Sequence, residues 1–398
     1  MKVIKGSVTA PKGFTASGIS SGIKRSGKKD LALIYSSAPA NAAGVFTQNK
    51  VKAAPIIISM DHIRSGKAQA IIANAGCANA CTGDQGLADA RLMADATASS
   101  LNINARHVLV ASTGSIGSYL PMKNLLPGIR SASKRLSEHG GAEAAEAIMT
   151  TDTRKKEIAV KLKAGGKSVT IGAIAKGSGM IAPNMATMFA FITTDANVPA
   201  YDLKSYLLKA VDRSFNMTVV DRETSTNDCV FILANGQAGN RMLSGKDEKD
   251  FISALEYVCT YLAREIARDG EGATKLMEIR VAGARSEKDA RAAARSVAGS
   301  DLVKSAIFGE DPNFGRIMAA LGYSGARLDP CLVNIFIGSI EVVRGGKTLS
   351  FDNAKARKHL KGKEVLITVM LGLGKSNATA WGCDLTYDYV KINAEYHT

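Results

Sequence analysis

The sequence predicts a layered α+β fold, in which β-sheets and helices pack on each other. Segments with the apolar spacing of a helix alternate with short runs of β-branched residues. Two Gly-Gly turns, at residues 164–167 and 344–347, each join two such runs into a local hairpin. Hairpins pair antiparallel strands, so they argue against a purely parallel, doubly wound sheet.

Four segments carry apolar residues three and four positions apart, which is typical of a helix that buries one face. These predicted helices are 87–101, 199–215, 249–268 and 287–307. Between them lie β-branched or alternating runs that predict strands. The predicted strands are 70–73, 108–111, 158–162, 169–175, 188–193, 230–233, 275–281, 333–343 and 365–371. No repeat, low-complexity segment or long linker indicates a domain boundary.

The composition indicates a folded protein that does not enter a membrane. The chain has 398 residues, and its 46% apolar content is ample for a packed core. The longest apolar runs, 332–340 and 365–371, are far shorter than the ~20 residues of a membrane helix. The first residues carry neither an apolar signal core nor a transit peptide. We therefore expect a cytoplasmic protein.

The net charge of +15 raises the question of a nucleic-acid partner. The basic residues are scattered, and their densest groups, 154–156 and 355–363, are not interleaved with aromatic residues. The sequence thus predicts no nucleic-acid binding. A basic surface that faces a carboxylate-bearing metabolite, or one that only provides solubility, accounts better for the charge.

Cysteine and glycine motifs give no sign of a metal, a disulfide or a nucleotide. Cys77 and Cys81 have a spacing that would suit a metal, but none of the five histidines supplies further ligands nearby. Free thiols are normal in the cytosol. The segment 374–376 resembles the end of a phosphate-binding loop, but Val369 stands at the position of the required earlier glycine. We expect neither metal nor cofactor.

The most informative segment is residues 176–192, which places Thr187 between a loop rich in glycine and proline and an apolar strand. A threonine hydroxyl is a weak nucleophile, but at the head of a chain its own α-amino group can act as its base. That amine titrates near pH ~8, against ~10.4 for lysine. The hypothesis is that the chain cuts itself between Ala186 and Thr187. The alternative is that Thr187 is only a β-branched residue at the start of a buried strand.

The segment 176–188 resembles the self-processing segment of the ornithine acetyltransferase family, also called the bifunctional glutamate N-acetyltransferases of arginine biosynthesis. Seven further motifs resemble that family in its own order, and the similarity extends from near residue 13 to the last residue. These motifs are 44–55, 74–83, 112–117, 149–153, 225–228, 311–316 and 378–384. On these motifs the chain is identified as a member of the family.

The resemblance implies the α+β fold of the self-processing N-terminal-threonine acetyltransferases. It implies an alpha chain of residues 1–186 and a beta chain of residues 187–398, interlocked as one unit and assembled into an (αβ)₂ heterotetramer. The implied activity moves the acetyl group from N²-acetylornithine to L-glutamate through an acetyl-threonine intermediate. This exchange requires no cofactor. Whether acetyl-CoA is a second donor is left open.

The resemblance also assigns residues to the site. Thr113, through its hydroxyl, and Gly114, through its backbone N–H, form the oxyanion hole. Without the family, residues 112–115 are an ordinary loop at the exit of a strand. The residues assigned to substrate binding are Thr150, Lys176, Thr187, Glu271, Asn393 and Thr398.

The resemblance also implies what each substrate contact does. Lys176 would hold a substrate carboxylate, and Glu271 would pair with a substrate ammonium. Thr150 would offer its hydroxyl, although Thr151 or Thr153 would serve in another register. Lys176 and Glu271 each also have a structural interpretation, as a solvated surface lysine and as a loop carboxylate after a helix.

Two positions depart from the family pattern: Arg222 replaces a glycine and Phe314 replaces a tryptophan. A turn near Arg222 is therefore expected to differ. The sequence leaves two alternative functions open. One is a related self-cleaving amidohydrolase or aminopeptidase that passes the acyl group to water. The other is a basic binding protein with an intact chain.

Overall fold

The computed structural model describes residues 1–182 and 188–395. Within these ranges the strands are β1 Lys2–Ile4, β2 Phe14–Ile19, β3 Leu31–Phe46, β4 Lys67–Cys77, β5 Val108–Ser115, β6 Lys156–Ala164, β7 Lys167–Lys176, β8 Phe189–Thr194, β9 Thr218–Val219, β10 Cys229–Ala234, β11 Leu276–Ala284, β12 Asn334–Ile337, β13 Ile340–Arg344, β14 Lys347–Thr348, β15 Glu364–Met370 and β16 Ser376–Cys383. The α-helices are α1 Ala54–His62, α2 Gly83–Leu101, α3 Met122–Lys134, α4 Gly141–Ala147, α5 Ala200–Arg213, α6 Gly245–Arg268, α7 Glu287–Ala298, α8 Asp301–Phe308, α9 Phe314–Gly322, α10 Asn353–Leu360 and α11 Tyr387–Glu395.

The described strands form two mixed sheets. The first sheet has nine strands in the order β1-β6-β7-β8-β10-β3-β4-β5, with β2 paired to β3. The second has seven strands in the order β14-β13-β12-β15-β11-β16-β9. The first contains parallel pairs, such as β8 with β10, beside antiparallel ones, such as β6 with β7. The prediction of an α+β fold is confirmed.

Helices fill the space between the sheets and cover the first sheet. Helix α6 contacts β6 and β7 of the first sheet as well as β11 and β16 of the second. Its buried residues join the largest apolar cluster, which also includes residues of α5 and α7. Two further clusters bury residues of β3 and β4 together with residues of α1, α2, α3 and α4. The apolar face predicted for 249–268 thus lies against both sheets.

Both hairpins predicted from Gly-Gly turns are present. Gly165 and Gly166 have φ angles of +56° and +78° and join β6 to β7, with Ala164 opposite Lys167. Gly345 and Gly346, at +55° and +72°, join β13 to β14. Two consecutive residues with positive φ match the right-handed twist of the strands, and glycine adopts this conformation without steric cost.

Two predicted elements are each divided in the structure. The helix predicted over 287–307 is interrupted after α7, where the Ser300 side chain accepts a hydrogen bond from Val303 N and begins α8. The strand predicted over 333–343 is two strands, β12 and β13, separated by a turn that contains Gly338 at φ +60°. The apolar spacing in the sequence runs on across both breaks, because the residues on either side of each break pack on the same core.

Strand β3 was missed although it lies at the centre of the first sheet. Its middle contains Ser36, Ser37 and Pro39, which are untypical of a buried strand. The pairing of β3 with β4 shifts register between Tyr35 and Ala40, so the proline lies in an irregularity where no ladder hydrogen bond is required of it.

The first sheet joins segments on both sides of residues 183–187. Strand β7 pairs with β8, and β3 pairs with β10. The parts of the chain before and after Thr187 therefore share one sheet. None of the helices in residues 1–182 and 188–395 is both long and apolar enough to cross a membrane.

Candidate active site

Six residues assigned to the site from the sequence line one cavity of about 90 Å³: Thr113, Gly114, Thr150, Lys176, Glu271 and Asn393. The other lining residues are Ala78, Ile116, Thr151, Gly179, Met180, Ser225 and Asn227. Three predicted residues, Ala186, Thr187 and Thr398, lie outside the described residues. The cavity thus gathers residues that are up to 315 positions apart in the chain, from Ala78 to Asn393.

Gly114 lies near the end of β5, where the backbone of β4 passes very closely. A Cβ atom at Gly114 would stand 2.3 Å from the carbonyl carbon of Gly76 and 2.6 Å from the nitrogen of Cys77. The φ angle of Gly114, +130°, is also one that other residues rarely adopt. Only glycine can occupy this position, so the backbone beside Thr113 is fixed by packing.

Lys176 ends β7 inside the protein, with 2% of its surface exposed. Its Nζ donates a hydrogen bond to Thr113 Oγ1 at 3.2 Å. Because the ammonium occupies a lone pair of that oxygen, the Thr113 hydroxyl proton stays available to another acceptor. The Nζ atom also lies 5.9 Å from the ring centroid of Phe189, within the range of a cation–π contact.

The charges around Lys176 act in opposite directions. Burial lowers the pKa of Lys176, Asp152 opposes this effect, and the nearby Lys156 adds to it. Asp228 and Glu271 also favour the charged form. Burial prevails, and the pKa of Lys176 is lowered. In its protonated form Lys176 would attract a carboxylate, because little water screens the interaction.

Glu271 follows α6, in a loop packed against the segment after β7. Its N–H donates to Ser178 O at 3.0 Å, and its Oε2 accepts from Asn393 Nδ2 at 2.9 Å. A Cβ atom at Gly179 would lie 2.2 Å from the same Oε2. Gly179 thus leaves room for a carboxylate on the cavity wall, and α11 reaches that wall through Asn393. The helical conformation of this C-terminal segment was not predicted.

The three threonines of the segment 150–153 have different surroundings. Thr150 and Thr151 both line the cavity. The Thr153 hydroxyl bonds the carboxylate of Asp269, and its N–H donates to Asp269 Oδ2 at 3.1 Å. Thr153 is therefore held by a structural contact, and the threonines that face the cavity are Thr150 and Thr151.

Two further polar residues lie at the site, and neither was singled out from the sequence. The Nδ2 of Asn227 donates to Ala78 O at 2.7 Å and to Ser112 O at 2.6 Å, which ties its loop to β5. Asp228 is fully buried, and its Oδ1 accepts the N–H of Met188 at 2.9 Å. Burial raises the pKa of Asp228 well above its usual range. The sequence signal for Asn227 and Asp228 was their place in the family motif 225–228.

Both departures from the family pattern have a structural account. Arg222 has a φ of +64°, so it adopts the left-handed conformation that a glycine would take, and its guanidinium pairs with Asp301 at 2.7 Å. The expected difference of this turn from the family's stays a prediction. Phe314 begins α9 and packs edge-on against Phe351, with ring centroids 6.3 Å apart, outside the cavity lining.

The turn at Arg222 supports the segment before residue 183. The Asp221 carboxylate accepts hydrogen bonds from Met180 N at 2.6 Å and from Ile181 N at 2.8 Å. Across residues 1–182 and 188–395 no group of three or more His, Cys, Asp or Glu side chains is arranged to hold a metal. Cys77 and Cys81 are free thiols.

Comparison with known proteins gives consistent matches over the whole chain. The model of the ArgJ family matches residues 15–398. An arginine biosynthesis bifunctional protein ArgJ from Symbiobacterium thermophilum is 56% identical over 402 residues, covering 100% of each chain. One from Staphylococcus aureus is 50% identical and covers 99% of this chain and 96% of its own. A crystal structure of the arginine biosynthesis bifunctional protein argJ from Bacillus halodurans has 44% identity and a TM-score of 0.50, and covers 52% of this chain and 98% of its own.

Proposed function

Because the chain belongs to the ArgJ family of arginine-biosynthesis acetyltransferases, we propose that it moves the acetyl group of N²-acetylornithine to L-glutamate, after cutting itself before Thr187. The observation that carries the proposal is the cavity in which a buried cation, a carboxylate and an oxyanion-hole pair converge. Lys176 and Glu271 match the carboxylate and ammonium of an amino acid.

Cleavage would begin with attack of the Thr187 hydroxyl on the carbonyl carbon of Ala186. The C–N bond breaks as the C–O bond forms, the hydroxyl proton passes to the departing nitrogen, and water then hydrolyses the ester. The bond from Met188 N to Asp228 supports this step, because it fixes the chain directly after the nucleophile. The Bacillus halodurans chain, matched over nearly its full length, covers about the share of this chain that follows Ala186, which also supports two pieces.

Acetyl transfer would use Thr187 twice. Its hydroxyl attacks the acetyl carbonyl while its α-amine accepts the proton, and ornithine leaves with that proton on its amine. The amine of glutamate then attacks the acetyl-threonine ester. Both tetrahedral intermediates carry an oxyanion, which the Thr113 hydroxyl and Gly114 N–H would stabilise, and the loss of one such donor typically costs ~3 to 4 kcal/mol. The bond from Lys176 to Thr113 supports this role for the hydroxyl.

The site would bind both substrates through the groups that they have in common. Each has an α-carboxylate, which Lys176 would bind, and a hydroxyl of Thr150 or Thr151 is available to the acetamide. The side-chain ammonium of ornithine would pair with Glu271. Thr187, Asn393 and the terminal Thr398 complete the proposed set.

The exchange balances without a cofactor, since the acetyl group leaves one amine and arrives at another. We expect turnover with N²-acetylornithine and glutamate as the only small molecules. An assay with acetyl-CoA as sole donor measures whether a second donor is accepted. We propose a cytoplasmic location, where the thiols of the six cysteines would stay reduced. We further propose an (αβ)₂ heterotetramer.

The first experiment compares Thr187→Ala with Thr187→Ser and the wild type. Thr187→Ala lacks a hydroxyl, so it should stay a single polypeptide by intact mass and should not transfer acetyl. Thr187→Ser keeps the hydroxyl and should still be cut. Normal processing of the alanine variant, or release of acetate at a rate independent of glutamate, would contradict the proposal.

A further inference from the structure

A buried ion cluster lies behind the cavity. Lys156 Nζ is 2.6 Å from Asp152 Oδ1 and 2.6 Å from Asp269 Oδ2. The side chains of Lys156, Asp152 and Asp269 are 0%, 0% and 2% exposed. We call these three residues the Lys156 cluster. None of them lines the cavity described above.

Asp152 connects the cluster to two segments that carry proposed substrate contacts. Its Oδ2 accepts the backbone N–H of Thr150 at 3.0 Å. Its Oδ1 accepts the N–H of Gly177 at 2.8 Å, directly after Lys176. One carboxylate therefore fixes the distance between the Thr150 segment and the end of β7.

Asp269 connects the cluster to the segment that carries Glu271. Its backbone carbonyl accepts the Ser178 hydroxyl at 2.6 Å, and Ser178 O accepts the N–H of Glu271 at 3.0 Å. Its carboxylate also holds Thr153 by hydrogen bonds to N and Oγ1. The three segments that present Thr150, Lys176 and Glu271 are thus joined by the carboxylates of Asp152 and Asp269, and the Lys156 ammonium bridges these two carboxylates.

The ammonium of Lys156 has no free capacity for a ligand. Its donors face Asp152, Asp269 and the carbonyl of Arg154, the last at 3.5 Å. Burial opposes ionisation of Asp152, but the charges of Lys156 and Lys176 outweigh it and lower the pKa of Asp152. A buried pair of this kind is costly to break, since the remaining carboxylates stay in the interior without their cation.

We propose that Lys156 is a positioning residue that sets the affinity of the cavity for both amino-acid substrates, by holding the segments of Thr150, Lys176 and Glu271 in one arrangement. The inference rests on the proposed function for the identity of the substrates. Asp152 and Lys156 precede the proposed cut and Asp269 follows it, so the same cluster ties the two pieces together beside the site.

The test compares Lys156→Met with Lys155→Met in the full-length protein. Lys155 is the exposed neighbour, so its replacement removes the same charge without touching the cluster. In Lys156→Met we expect the KM values for N²-acetylornithine and for glutamate both to rise about tenfold, while kcat per cut chain falls less than about threefold. Lys155→Met should match the wild type. A merely structural role would lower the yield of active protein and leave KM unchanged.

Asp152→Asn serves as the second variant, because it keeps the shape of the side chain and retains Lys156. One amide nitrogen replaces one acceptor oxygen, so a bond to Thr150 N or to Gly177 N is lost and KM should again rise. Wild-type KM values in folded Lys156→Met, or in Asp152→Asn where the methionine variant does not fold, would overturn the inference. Calorimetric titration with ornithine measures affinity without turnover. If the wild type binds ornithine but transfers no acetyl group, only the proposed function is refuted. The affinities of the variants for ornithine would still test the role of Lys156.

Discussion

Gly114 and Gly117 form a matched pair for substitution, because they share a positive φ and differ in the space around a Cβ atom. Both have positive φ angles, +130° and +84°. A Cβ atom at Gly114 would collide with the backbone of Gly76, whereas one at Gly117 would meet nothing within 4 Å. Only the first glycine is required by the close approach of two strands.

Gly114→Ala should therefore lower kcat by about 100-fold or more, because displacement of the backbone moves an N–H donor away from the oxyanion. Gly117→Ala should keep kcat near the wild-type value, with a loss of stability of about 1 kcal/mol from the strained backbone. Steady-state kinetics and thermal unfolding of both variants measure this. Equal kcat values for the two would contradict the assignment of Gly114 to the oxyanion hole.

Individual site residues were predictable only where a motif carried them. Thr113 and Lys176 were assigned from family motifs and Glu271 from the family resemblance, and the structure places all three at one cavity. Asn227 was not singled out because its role comes from contacts with Ala78 and Ser112, which are more than 100 positions away. Periodicity and composition carry no information about such contacts.

Among the elements, α11 is held at the site by few contacts. None of its described residues is buried. Asn393 bonds Glu271, and the residue before the helix, Thr386, donates its hydroxyl to Gly272 O at 2.7 Å. A helix with so little buried surface contributes little to stability, so its contribution to binding can be separated experimentally.

A chain that ends at Thr386 should retain its fold, with an unfolding free energy reduced by about 1 to 2 kcal/mol, since only surface contacts are lost. Its KM for N²-acetylornithine should rise about tenfold or more, because Glu271 loses the amide of Asn393. Val390→Ala is the control: it trims an exposed side chain of α11 and retains Asn393. An unchanged KM in the shortened chain would argue against a place for α11 in the site.

Element prediction succeeded where local chemistry decides the conformation. The Gly-Gly turns at 165–166 and 345–346 fix hairpins whatever surrounds them. It failed for β3, since a strand of small and polar residues is stable there only through neighbours on both sides. The division of α7 from α8 depends on a cap at Ser300, which apolar spacing does not register.

For the whole molecule, the first sheet determines how the two proposed pieces behave. Strand β8 lies between β7 and β10, and β10 lies between β8 and β3. Residues from both sides of Thr187 also fill the largest core cluster. Separation would expose that core and unpair central strands.

We therefore expect the cut protein to elute as one species in size-exclusion chromatography under native conditions, and to give two bands on a denaturing gel. Backbone pairing and burial oppose dissociation far more than one broken peptide bond favours it. Native mass spectrometry also measures whether the two pieces stay associated, and it reports whether two αβ units associate. Elution of separate pieces from native protein would contradict the interlocked arrangement.

The central position of β8 has a consequence for the order in which the chain assembles and matures. A strand flanked on both edges can take its place only when its neighbours are already present, and the proposed scissile bond lies directly ahead of it. Synthesis as one chain delivers all of these strands together. The proposed cut would therefore come after assembly of the central strands, because the strands on both sides of the bond have to be in place to position it.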